Sequence, residues 1–228
     1  MLEVLSTRLT TRLALAIFAA LAAGTSIVTA QVDDPFADLM ARGREAQATM
    51  SRLAASFVET SVSPLLVEPI VATGRVTATY RPLHVVMEYA TPEPRTLTLD
   101  ETTLVVSSRD RSEPEELDIA TTMARVQKYF VDATPDDLRR SFDVTLDRDP
   151  DVAGGSDHLS MVPKRRQITE GLSRLDLWID PVRLLLVRMR MEFPAGDMKT
   201  FEFSDLEVTA GPSPSSILPQ SRPRDGDR

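Results

Sequence analysis

The stretch TATYRPLHVVMEYATPEPRTLTLDETTLVVSS, residues 77–108, decides the fold. Val85, Met87 and Tyr89 alternate with His84, Val86 and Glu88; Leu97 and Leu99 alternate with Thr96, Thr98 and Asp100; Leu104 and Val106 follow the same rule. A period of two sends apolar side chains to one face of an extended chain and polar ones to the other, so the segment reads as successive half-buried β-strands. TPEP (91–94) and LDETT (99–103) separate the strands with Pro and Asp, which favour turns, and links this short imply antiparallel neighbours. At the first corner Arg81 stands directly before Pro82, a cation beside a residue that ends strand pairing.

Downstream the same period returns at Phe142, Val144 and Leu146, at Leu159 and Met161 after the loop DPDVAGGSD, and at Leu175, Leu177 and Ile179. Leu185, Val187, Met189 and Met191 and then Phe201 and Phe203 form the last pair, with PAGD (194–197) as their hairpin turn, for nine to eleven strands in all. Upstream, DPFADLMARGREAQATMSRLAASFVET (34–60) places Phe36, Leu39, Met40, Met50, Leu53, Ala54 and Phe57 at helical spacing. It reads as one amphipathic helix capped by Asp34 before Pro35. Two short helices interrupt the strands: TTMARVQKYF (121–130), and TPDDLRRSF (134–142), which opens on Thr134, Pro135 and two acidic residues. RDRSEPEELD (109–118) reads as an acidic linker.

The N-terminus sets the compartment. Arg8 and Arg12 precede the apolar run Leu13 to Ala23, and Val28 and Ala30 stand three and one residues before Gln31, the pattern of a cleavable signal peptide over residues 1–30. The run is shorter than the ~20 residues a spanning helix requires. Residues 31–210 then form one exported domain, and 211–228, rich in Pro, Ser and charge, a flexible tail. With 26 Lys and Arg against 34 Asp and Glu the chain is acidic, so nucleic acid is not a partner. It has no Cys and two His, which excludes thiol chemistry; no metal or cofactor is expected. Ser156, Asp157 and His158 are adjacent in the chain, which is not how a hydrolytic triad is built, and the acidic alternation Asp147, Asp149, Asp151 lacks the Gly and distal Glu of a calcium loop. The protein is therefore expected not to be an enzyme.

So many half-buried strands must curl into a barrel or split into a sandwich. Either they pack on one another, or the few helices lie across a curled sheet and leave an apolar hollow. Periodicity leaves both open.

The order of these parts resembles the LolA family of periplasmic lipoprotein carriers. The resemblance covers about residues 37–210: a long helix ending near SFVET, the strand pair GRVTATYRPLHVVMEYATPEP, the strand TLDETTLVVSS, mid-chain helices, and the run from LSMVPKRRQITEG to FEFSDLEV. It implies an unclosed antiparallel β-barrel, mainly β with helices, whose N-terminal helix and short mid-chain helices form a lid over an apolar cavity. In that family an Arg before a Pro at the first strand corner contacts the lid helices and governs opening, so Arg81 with Pro82 is the expected latch. The cargo implied is an acylated lipoprotein or related lipid, received from an inner-membrane ATP-driven extractor and delivered to an outer-membrane acceptor; the protein is expected to work as a monomer. Cavity-lining candidates are Met40, Met50, Leu53 and Phe57; Val85, Met87, Tyr89, Leu97, Leu99, Leu104 and Val106; Met123, Val126 and Phe130; and Leu159, Met161, Leu175, Leu177 and Ile179. The methionines suit an adaptable surface because the thioether is flexible and polarisable, although gap filling in a core is their commoner use. The chain departs from the family at Phe57-Val58-Glu59, where Phe-Gln is usual, and at Leu83 to Met87, where His and Val replace an aromatic and an Arg. A lipid- or protein-sensing module of the same fold, without transport, is the competing reading.

Overall fold

The computed structural model describes residues 34–211, so the signal peptide read over 1–30 and most of the tail from 212 lie outside the described residues. Eleven strands form one sheet: β1 Met50–Val62, β2 Ile70–Tyr80, β3 Leu83–Thr91, β4 Arg95–Leu99, β5 Thr103–Ser108, β6 Glu115–Asp118, β7 Phe142–Asp149, β8 Ser156–Pro163, β9 Arg174–Ile179, β10 Leu186–Glu192 and β11 Met198–Ala210. Their spatial order, β6-β5-β4-β3-β2-β1-β11-β10-β9-β8-β7, joins two antiparallel meanders through the pairing of β1 with β11. β6 and β7 are the two edges, so the barrel is unclosed.

The segment between those edges carries the chain across the gap as α2 (Ala120–Val126), a π-helical turn (Gln127–Val131) and α3 (Pro135–Ser141). α3 begins as its sequence dictates: Thr134 and Asp137 exchange hydrogen bonds in a capping box ahead of Pro135. α1 (Pro35–Ala48) is capped by Asp34, whose carboxylate accepts from the Ala37 N–H. α4 is a single turn, Arg166–Thr169. Phe36 and Leu39 of α1 and Leu138 of α3 are buried in the same apolar cluster as the inward residues of the strands, so the helices cover the concave face. The sheet does not split into a sandwich.

Three expectations change. The helix read over 34–60 ends at Ala48, and Met50, Leu53, Ala54 and Phe57 belong to β1, which pairs on both sides with β11 and β2. Two full ladders of backbone hydrogen bonds outweigh a helical preference here. The helix read over 121–130 widens into the π-helical turn at Gln127, and the acidic linker contains the edge strand β6. The turns at 91–94, 99–103 and 194–197 lie where expected; Asp100 closes the second by accepting from the Thr102 and Thr103 N–H groups. Gly74 is required on β2. A Cβ there would meet the Glu88 carbonyl at 2.3 Å and the Phe57 ring at 2.6 Å, so the missing side chain is what lets Phe57 lie against the strand.

Candidate ligand cavity

Between α1, the segment joining β6 to β7, and the concave face lies an apolar cavity of about 130 Å³. Leu39 and Met40 of α1, Met50 and Leu53 of β1, Phe130, Val131 and Leu138 of the crossing segment, Leu159 and Met161 of β8, and Leu177 and Ile179 of β9 form its wall. Leu184, Leu185 and Leu186 complete it. Residues of β1 and of β8–β9 face one space although β11 and β10 lie between them, which requires the sheet to curl. Of the candidates read from the sequence, Met40, Met50, Leu53, Phe130, Leu159, Met161, Leu177 and Ile179 are brought together here. Phe57, Val85, Met87, Tyr89, Leu97, Leu99, Leu104 and Leu175 are placed in the main core, with Val106 and Met123 partly buried against it, and Val126 packs with Val131.

The polar groups of the wall are few and sit toward α1. Arg44 donates to the Ala133 carbonyl at 2.6 Å, tying α1 to the crossing segment. Gln47 is 8% exposed, and its Oε1 has no hydrogen-bond partner among the described residues. Tyr80 borders the cavity, and burial pushes its phenol up to about 12. At the other end of α1, Arg139 of α3 meets Asp34 at 2.7 Å and lies over the Phe36 ring. That hydrogen bond, followed by the one from the Ala37 N–H, lowers the Asp34 carboxyl to about 2.

Arg81 sits beside the joint between α1 and β1. Its Nη2 donates to the carbonyls of Ala48, at 3.2 Å, and Met50, at 2.8 Å. The first of these is the last residue of α1, where helix carbonyls lack intrahelical partners and a cation is favoured. The Arg81–Pro82 peptide is cis, which forms the corner between β2 and β3. These contacts are with the end of α1, not with α2 or α3.

The family model described as outer membrane lipoprotein carrier protein LolA matches residues 48–216. The chain belongs to the LolA family. An uncharacterized conserved protein from Thermus thermophilus is similar in structure at a TM-score of 0.51 and 11% identity, over 82% of this chain and 96% of that one. The Mycobacterium tuberculosis lipoprotein LppX is similar at 0.50 and 12% identity, over 77% and 96%. A chain of the Pseudomonas aeruginosa MucA/MucB complex gives 0.49 and 16% identity over 81% of this chain, which spans 61% of that chain's length. At these identities the likeness is one of fold. No curated protein matches the chain.

Beyond the cavity, this LolA-family chain buries an ion pair in its core. Glu59, 3% exposed, is paired with Lys199 of β11, 6% exposed, while the Tyr89 hydroxyl donates to Glu59 Oε2 at 2.6 Å and Ser61 to Oε1 at 3.0 Å. Burial pushes the Glu59 carboxyl up, but the Lys199 charge and the hydrogen bonds of Lys199, Tyr89 and Ser61 outweigh it and hold the group below its usual range. Sequence reasoning missed this pair. Its signal was Glu59 standing in phase with Phe57, on the inward side of β1. Gln47 and Tyr80 were missed as well, and an unpartnered amide is visible only once its surroundings are known.

Ser156, Asp157 and His158 do not converge. Ser156 donates to the Val152 carbonyl, Asp157 pairs with Arg148, and His158 meets Asp176, which is fully buried beside Arg174 and Arg190. His158 also stacks on Trp178, so this group stabilises the outer face of β8–β10.

Proposed function

We propose that the protein is a periplasmic carrier that shields the acyl chains of lipoproteins, or of a related lipid, during transfer from the inner to the outer membrane. The observation that supports this reading is the apolar cavity lying under α1. An apolar cavity of roughly this size can hold a benzene-sized group, so the present state accepts part of a tail and a complete one needs α1 to withdraw.

A tail that would otherwise meet water carries enough burial energy to drive withdrawal. α1 buries two large apolar side chains, Phe36 and Leu39, worth on the order of 5 kcal/mol together. A tail of ~16 carbons gains on the order of 12 kcal/mol on leaving water. Cargo can therefore displace the helix, and the helix can help expel cargo when a membrane or acceptor offers the tail another apolar site. In this scheme Arg81 is the latch. It holds the α1–β1 joint through two carbonyls when the cavity is empty and yields when the joint moves. An ATP-driven extractor at the inner membrane would load the carrier and an outer-membrane acceptor would unload it, with the protein acting as a monomer.

Native mass spectrometry of protein purified from the cell envelope tests the reading. The expected spectrum contains a one-to-one complex with an acylated protein or lipid. A chain that arrives empty and takes up no lipid from membranes overturns it.

A further inference from the structure

The stripe of α1 that faces the sheet runs through Phe36, Leu39, Met40, Gly43 and Gln47, spacings that keep one face of a helix. At its last position, where the pattern calls for an apolar residue, stands a carboxamide. Gln47 is more than nine-tenths buried, lines the cavity, and its Oε1 lacks a partner among the described residues. A shielded acceptor left unpaired is destabilising. A Leu or Met at this position would carry no such cost.

One turn earlier, Gly43 also lines the cavity, and a Cβ built there meets nothing within 4 Å. Open space thus lies on the same face of α1, one turn before the amide. Among the other polar wall groups, the Arg44 guanidinium gives one N–H to the Ala133 carbonyl and keeps others, and the Tyr80 phenol carries a hydroxyl donor. Among the described residues no carboxylate lines the cavity. The polar groups of this wall thus offer donors, on Tyr80 and Arg44, and one unpaired acceptor, on Gln47, a set that an amide complements with its carbonyl and its N–H.

We infer that Gln47 reads the head of the ligand: its Oε1 accepts a hydrogen bond from the N–H of an amide-linked acyl chain whose tail runs toward Leu159, Met161 and Leu177. This rests on the carrier reading above and narrows the ligand class to acyl chains joined through an amide. An ester of the same chain has the carbonyl but no N–H to give Gln47, and a hydrocarbon has neither.

The test is displacement of the neutral dye 1-N-phenylnaphthylamine from the full chain by N-ethylpalmitamide, ethyl palmitate and hexadecane. The native protein should bind the amide about tenfold more tightly than the ester. In Gln47→Leu and in the closer-shaped Gln47→Met, that ratio should fall to about one with hexadecane affinity kept or raised. The ligand-free Gln47→Leu protein should also melt above the native chain, because an unpaired buried acceptor has gone. An amide preference absent from the native protein, or retained in both variants, overturns the assignment while leaving carriage standing. Failure of all three ligands to displace the dye from any of the proteins overturns carriage and this inference together.

Discussion

Removing Lys199 should be among the most damaging single changes in the core, and its pH signature identifies the cause. Lys199 and Glu59 are 6% and 3% exposed, and Tyr89, which also binds the carboxylate, is 4% exposed. In Lys199→Met the carboxylate keeps its hydroxyl donors but loses its counter-charge in a site closed to water. Breaking a buried pair in this way costs about 3–5 kcal/mol, a large share of the roughly 5–15 kcal/mol that holds a domain folded.

The sign of the pH effect follows from Glu59. In the native chain its folded value is depressed, so the pair contributes stability that is present above the unfolded value of 4.5 and lost as pH falls through the lower folded value. In Lys199→Met the Tyr89 and Ser61 hydrogen bonds still favour the carboxylate, but with the Lys199 charge gone burial should outweigh them and raise the folded value, so the variant's relative stability is present below the unfolded value and lost as pH rises through the raised one. The deficit measured by urea unfolding should therefore be widest near about pH 7 and shrink by about pH 4. The double variant Glu59→Leu with Lys199→Met should recover part of the loss, because an apolar pair needs no counter-charge while the buried Tyr89 hydroxyl loses its acceptor. A deficit under about 1 kcal/mol, or one independent of pH, would refute the reasoning.

Other substitutions probe other parts of the fold. Gly74→Ala drives a Cβ against the Glu88 carbonyl and the Phe57 ring and should cost about 1–3 kcal/mol in urea unfolding, a loss that Phe57→Leu cannot relieve at the backbone contact. The Asp34 carboxyl lies at about 2 against 3.8 in the unfolded chain. Its contribution is thus present above 3.8 and lost as pH falls through about 2, and the protection factors of the α1 amides, which remove the intrinsic pH dependence of exchange, should fall over that window, and at neutral pH in Asp34→Ala. Arg81→Leu frees the carbonyls of Ala48 and Met50, so exchange at the α1–β1 joint should rise and release of cargo to acceptor membranes should change; unaltered transfer removes Arg81 from the mechanism.

Much of the fold was legible because local chemistry and tertiary demand agree. The alternation through 83–108 survives as β3, β4 and β5, and Thr134 with Asp137 starts α3 as its capping signature requires. The end of α1 was not legible for a geometric reason. β1 carries irregular pairings between Met50 and Arg52 and between Ala54 and Ser56, and these break its period of two. Met50, Leu53, Ala54 and Phe57 then fall at helical spacing although the chain is extended. β6 was hidden because an edge strand is protected by charge, and Glu115, Glu116 and Asp118 look like linker.

The cavity was legible in part. Its strand and helix walls follow from inward-facing apolar positions, whereas Leu184 comes from the link between β9 and β10, and Leu185, read as the first residue of the following strand, also lies in that link, just before β10. What separates Leu177, on the wall, from Leu175, in the core, is where along the sheet the helices leave space. That depends on how far α1 reaches, not on either residue.

The carrier account meets its most direct test in an extraction experiment. Purified protein is incubated with membranes that hold an acylated protein, and the membranes are removed by centrifugation. The account predicts that the acylated protein appears in the supernatant as a one-to-one complex, while the same protein without its acyl chains forms none. An acylated protein that stays with the membranes whatever the carrier concentration, even when the membranes also supply an energised extractor, would contradict it.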